Sequence, residues 1–100
     1  MTPKRIQRKR TKGWKMPPGT EYVGRPTRFG NPYKVGDNDP MMIGNSMKAA
    51  DTVRMYRWYL EAHPEIVELA RILLRGRDLA CWCEIGSPCH GDVLLEMANK

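Results

Sequence analysis

Asp78-Leu79-Ala80-Cys81-Trp82-Cys83 is short, nearly all apolar and bounded by turn residues, the pattern of a strand buried inside a sheet. A loop from Glu84 to Ser87 follows it. Ser87-Pro88 then reads as an N-cap and a first-turn proline, opening a helix through Val93, Leu94, Leu95, Met97 and Ala98. Upstream, two amphipathic helices lead into the strand. The first is capped by Ser46 and carries Ala49, Val53, Tyr56 and Leu60 on one face, flanked by Met55 and Tyr59, with Arg54, Arg57 and Glu61 opposite. The second starts at Pro64, buries Ile66, Val67, Ala70, Leu73 and Leu74, and ends near Gly76.

Further back, Glu21-Tyr22-Val23-Gly24 is a short strand candidate behind the Pro17-Pro18-Gly19 turn. Residues 4–14 alternate weakly and suit an edge strand or a basic arm, since Lys and Arg discourage edge-to-edge pairing. The stretch from Arg25 to about Asn45 is broken by Pro26, Gly30, Pro32, Gly36, Pro40 and Gly44; connections this long, when ordered, are often functional. This order of elements predicts an α/β fold, a small sandwich of two to four strands with a parallel pair and three helices. One domain spans residues 1–100, with 1–15 as the basic arm or edge strand and 16–100 as a compact body. If the strands near 21–24 and 78–83 are parallel neighbours joined by a right-handed crossover, their C-terminal ends lie side by side. The Arg25–Pro32 loop then meets the Cys83–Gly91 segment at the edge where open parallel sheets bind ligands.

Charge narrows the partner. Residues 1–30 hold nine basic side chains and one acid, net +8, whereas residues 31–100 hold eight bases and ten acids, net −2. A front third this basic suits a polyanion, with Lys4, Arg5, Arg8, Lys9, Arg10, Lys12 and Lys15 as nucleic-acid contacts; a solubilising tail is the plainer alternative. The hydrophobic fraction of 41% and charged fraction of 28% fit a soluble globular chain, and no apolar run suits a membrane helix. Three cysteines, an odd number clustered between positions 81 and 89, argue against a disulfide scaffold and for a reducing cytoplasm.

Cys81, Cys83, Cys89 and His90 form the pattern C-x-C-x5-C-H, which supports three readings. The first is a zinc site with these four residues as ligands, right in donor type but unusual in spacing. If Cys89 and His90 are adjacent on a helix they diverge by about 100°, which predicts less than stoichiometric zinc. The second is a reactive thiol, Cys89, activated at a helix N-terminus with His90 as proton-transfer partner and Gly91 admitting a ligand close to the backbone. The third is structural, with the cysteines as small apolar core residues.

The run Leu74-Arg75-Gly76-Arg77-Asp78-Leu79-Ala80-Cys81-Trp82-Cys83, with Pro88-Cys89-His90-Gly91-Asp92-Val93-Leu94-Leu95-Glu96, resembles the hallmark of domain-of-unknown-function family 4326. Tyr22-Val23-Gly24-Arg25-Pro26, Arg28-Phe29-Gly30-Asn31-Pro32-Tyr33 resembles its upstream block, and the likeness extends over residues 5–98. The resemblance implies a small protein of bacterial or phage origin, working in a bacterial cytoplasm. It implies no particular activity.

The expectation is a domain that binds a phosphate-bearing ligand, nucleotide or nucleic acid, between the two loops. Arg25 and Arg28 would make charge-assisted bonds to phosphate, Asn31 a directional hydrogen bond, and the segment from Cys83 to Gly91 the facing wall. The alternative is a phage accessory protein that binds a host protein through Trp14, Trp58, Tyr59 and Met41-Met42, without ligand chemistry.

Overall fold

A computed structural model describes residues 2–100. Six elements follow in the order β1 (Arg5–Gln7), β2 (Thr20–Tyr22), α1 (Ala49–Ala62), α2 (Pro64–Leu73), β3 (Asp78–Cys81) and α3 (His90–Ala98). The sheet runs β1-β3-β2 and is parallel throughout, so the strand that is last in sequence is central in space. Ala80 pairs with Ile6 on one side and Tyr22 on the other. A strand hydrogen-bonded on both edges has no solvated backbone, which is why Leu79, Ala80 and Cys81 are apolar and buried.

The basic N-terminus therefore starts as an edge strand. Arg8 N–H extends the pairing beyond β1 by donating to Cys81 O at 2.7 Å, and Leu79 N–H donates to Lys4 O at 3.0 Å. The helices pack on one another, and α3 lies against both β3 and β1. Tyr56, Leu60, Ala70, Leu74, Leu79, Val93 and Leu94 form the core they share. No helix among the described residues is long and apolar enough to cross a membrane.

Three boundaries differ from the sequence reading. Helix α1 starts at Ala49 with Lys48 as N-cap, whose N–H is held by the Asp51 carboxylate at 2.8 Å. Ser46 is instead used in an antiparallel bridge with Asn38, closing a hairpin-like excursion that a helical periodicity cannot foresee. On α2, Leu73 is half-exposed while Leu74 is buried, because successive residues turn by about 100° and it is Leu74 that follows Ala70 on the buried face. At α3 the cap is Cys89 rather than Ser87, in extended backbone with φ −148° and ψ 140°.

The connection from Gly24 to Lys48 is irregular but pinned. Tyr56 Oη, on α1, donates to Phe29 O at 2.6 Å, and Asn31 Nδ2 donates to Thr52 O at 3.1 Å. Asn31 Oδ1 in turn accepts from Tyr33 N–H at 2.9 Å. These buried bonds satisfy loop backbone that would otherwise be stranded beneath the surface. They also hold the loop over the C-terminal end of β2.

Candidate functional site

The C-terminal ends of β2 and β3 are adjacent: Val23 N–H donates to Ala80 O at 2.9 Å just past the last paired residues. The chain leaving β2 and the chain leaving β3 consequently share one edge, and a cavity of about 260 Å³ opens between them. Arg25 and Asn31 line it from the first loop, and Cys83, Cys89 and His90 from the second segment. Cys81 forms part of the wall, and Tyr22, Tyr33 and Trp82 add aromatic surfaces.

The expected residues do not all serve it alike. Arg25 is exposed at the cavity, and among the described residues it forms no ion pair. Arg28 is exposed and does not line the cavity. Asp39, a carboxylate of the same long connection, is buried and paired with Arg54 Nη2 at 2.7 Å rather than with either arginine. Asn31 is within the lining, but the bonds to Thr52 and Tyr33 already employ both ends of its amide. Gly91 stands on the other side: a Cβ there would sit 3.1 Å from Arg5 Cδ, so its bareness accommodates Arg5 rather than a ligand.

Arg5 itself is the largest departure. It was expected among the phosphate contacts of the basic arm, yet its side chain is only 5% exposed. Pairing of β1 with β3 aims it at the cysteines. Nη1 donates to Cys83 O at 2.8 Å and to Cys81 Sγ at 3.2 Å, Nη2 donates to Glu84 O, and Nε lies 3.5 Å from an Asp92 oxygen. No local signal in the sequence identifies this role, which depends on a partner 76 residues away. Of the other basic residues, Arg8 stacks over Tyr22 and Trp82, at 4.7 and 5.0 Å from the ring centroids. Arg10 lies 4.7 Å from that of Trp82. Lys4, Lys9, Lys12 and Lys15 are exposed.

The three thiols meet. Cys81, Cys83 and Cys89 place their sulfurs within 4.8 Å of one another, a group that could hold a metal ion. Cys81 and Cys89 are hydrogen-bonded at 2.9 Å. The Cys89 S–H bond holds the Cys81 thiol well below the usual thiol range; burial opposes the shift, while Cys83 N–H and Arg5 support it. Cys89, which keeps the proton, is pushed up by that same bond and by burial, although Gly91 N–H donates to its sulfur. Thiolate character thus falls on Cys81, not on Cys89 as the helix-terminus reading expects, chiefly because the Cys89 thiol donates to Cys81 Sγ, with Cys83 N–H and Arg5 adding to it.

His90 is neutral by environment: burial lowers its pKa, only partly offset by its hydrogen bond to Val23. Its Nε2 is 2.8 Å from Val23 O, an obligate acceptor, so Nε2 carries the hydrogen and Nδ1 an unshared pair. That Nδ1 is 3.8 Å from Cys89 Sγ. The supposed helical divergence of Cys89 and His90 does not arise, since Cys89 lies in extended backbone before the helix.

No curated protein and no solved structure matches the chain. The family model described as Domain of unknown function (DUF4326) matches residues 6–100, which include β2, the thiol triad and both walls of the cavity. By that match over nearly its whole length, the chain belongs to the DUF4326 family.

Proposed function

We propose that the cavity binds a phosphate-bearing ligand, a nucleotide or the end of a nucleic acid, in the cytoplasm. The observation that carries this reading is the exposed Arg25 guanidinium at a cavity whose other walls include Tyr22, Tyr33 and Trp82. A guanidinium recognises phosphate by paired charge-assisted bonds, and aromatic faces accept a base by stacking. Arg8 and Arg10, over Trp82, continue the positive surface from the cavity towards Lys9, Lys12 and Lys15. The free state of all three cysteines accords with a reducing compartment.

Fluorescence titration with a nucleoside monophosphate tests the reading, with Trp82→Phe identifying which tryptophan reports. Arg25→Ala is expected to weaken binding roughly tenfold to a hundredfold, equivalent to about 1.5–3 kcal/mol for a hydrogen bond to a charged group. Arg28→Ala is expected to leave it unchanged. Equal losses from the two variants would point to diffuse charge attraction and refute the cavity.

A second reading, a protein-binding accessory role, is favoured by one feature. The excursion closed by Asn38 and Ser46 leaves Met41 and Met42 more than half exposed and Ile43 fully so. Buried Asp39 braces it through Arg54 and through Met41 N–H at 2.9 Å. Trp58 is also half-exposed, whereas Tyr59 is engaged in stacking on Tyr56. Loss of a specific protein partner on replacing Met42 and Ile43 by Ser, with nucleotide binding absent, would select this reading.

A further inference from the structure

We propose that Cys81, Cys83, Cys89 and His90 hold one zinc ion beside the cavity. This goes beyond phosphate binding and does not depend on it. Soft thiolates with an imidazole are the donor set zinc prefers over hard cations, and four such ligands suit its tetrahedral geometry. Zinc–sulfur bonds of about 2.3 Å place tetrahedral sulfurs roughly 3.8 Å apart, and sulfur from nitrogen roughly 3.6 Å. The triad, with Cys81 and Cys89 at 2.9 Å and every sulfur within 4.8 Å, brackets that spacing. Cys89 Sγ and His90 Nδ1, at 3.8 Å, nearly match it already. Rotation of the cysteine side chains and an approach of His90, which lies outside the group of mutually close sulfurs, complete the set.

Two outer contacts support the assignment. Val23 O, 2.8 Å from His90 Nε2, leaves Nδ1 as the donor atom, the kind of carbonyl partner that orients metal-bound histidines. Arg5 puts a buried guanidinium against Cys81 Sγ and the Cys83 carbonyl. A divalent ion on three thiolates and a neutral imidazole carries one net negative charge, and Arg5 supplies the compensating positive one. Asp92 balances it only weakly, being exposed and 3.5 Å away.

The experiment uses the full chain purified under reducing conditions. Elemental analysis after dialysis against a mild chelator is expected to find one zinc per chain. Cobalt(II) added to the metal-free protein is expected to produce thiolate-to-metal charge-transfer absorption and the strong visible bands of tetrahedral coordination. Cys83→Ser, at a half-buried position outside the strand, is expected to reduce the charge-transfer intensity by about a third and weaken cobalt binding at least tenfold. His90→Ala is expected to keep the charge-transfer intensity while changing the visible bands. Cobalt binding that is undiminished in Cys83→Ser would overturn the site. So would a reduced protein that binds no cobalt, or an intact mass two hydrogens low from a Cys81–Cys89 disulfide under those conditions. Visible bands unaltered in His90→Ala would remove His90 from the ligand set. Because cobalt alone is the probe, failure here is separable from failure to bind nucleotide.

Discussion

Arg5 reaches the sulfur of Cys81, the last residue of the strand it pairs with, and two backbone carbonyls beyond that strand. A lysine cannot reproduce this, since one ammonium replaces a planar fork whose donors diverge to separate acceptors. In metal-free, reduced protein, Arg5→Lys is expected to raise the pH at which thiolate absorbance develops. The sign follows from the contact: a donor to the charged form lowers a thiol pKa, and loosening it returns the pKa upward. An unchanged titration would mean Arg5 merely packs. At this scale the sequence was only partly legible. The C-x-C-x5-C-H pattern marks the thiols, but charge counting cannot distinguish a solvated arginine from one buried by strand pairing. Arg5 and Lys9 contribute equally to the +8 of the front third, yet one is enclosed and the other exposed. Asn31 shows the same difficulty, because its amide is committed to Thr52 and Tyr33 by contacts invisible in its neighbours.

Among the elements, the parallel pairing of β2 and β3 was legible because Leu79-Ala80-Cys81 is too apolar for an edge. Helices α1 and α2 declared themselves by period and by Pro64. Caps were less legible. Ser46 and Ser87 both have suitable side chains, but the bridge to Asn38 takes the first and the approach of Cys89 to Cys81 displaces the second. The loop after β2 depends on a close approach at Gly30, where a Cβ would lie 2.9 Å from Arg25 Cγ and 3.1 Å from its Cα. Backbone on one side of that contact cannot yield cheaply. Gly30→Ala is therefore expected to destabilise the protein by about 1–3 kcal/mol, the usual cost of overpacking. A lowered urea midpoint with an unchanged slope would register this. A variant as stable as the parent would show that the loop is not held against Arg25.

For the whole molecule, the basic stretch divides into an enclosed part and an exposed one, Arg5 against Lys9, Lys12 and Lys15. The basic stretch begins as edge strand β1 and continues past Trp82, so removing residues 2–12 would delete a strand and Arg5 together. Nucleic-acid affinity is better tested by replacing exposed Lys9, Lys12 and Lys15 with Ala, which leaves β1 intact. If all three contact duplex phosphates, the slope of log affinity against log salt is expected to flatten by roughly 2.7, at about 0.9 per contact. An unaltered slope would make these lysines solubilising only. Whether one cavity serves the loops after β2 and β3 is tested most directly by an assigned proton–nitrogen correlation spectrum of the reduced protein, titrated with a nucleoside monophosphate. Saturable shifts are expected at Gly24, Arg25, Trp82 and His90, with Arg28 and Lys12 unmoved. Shifts confined to residues 8–15, or none at the highest nucleotide concentration, would contradict a shared phosphate site.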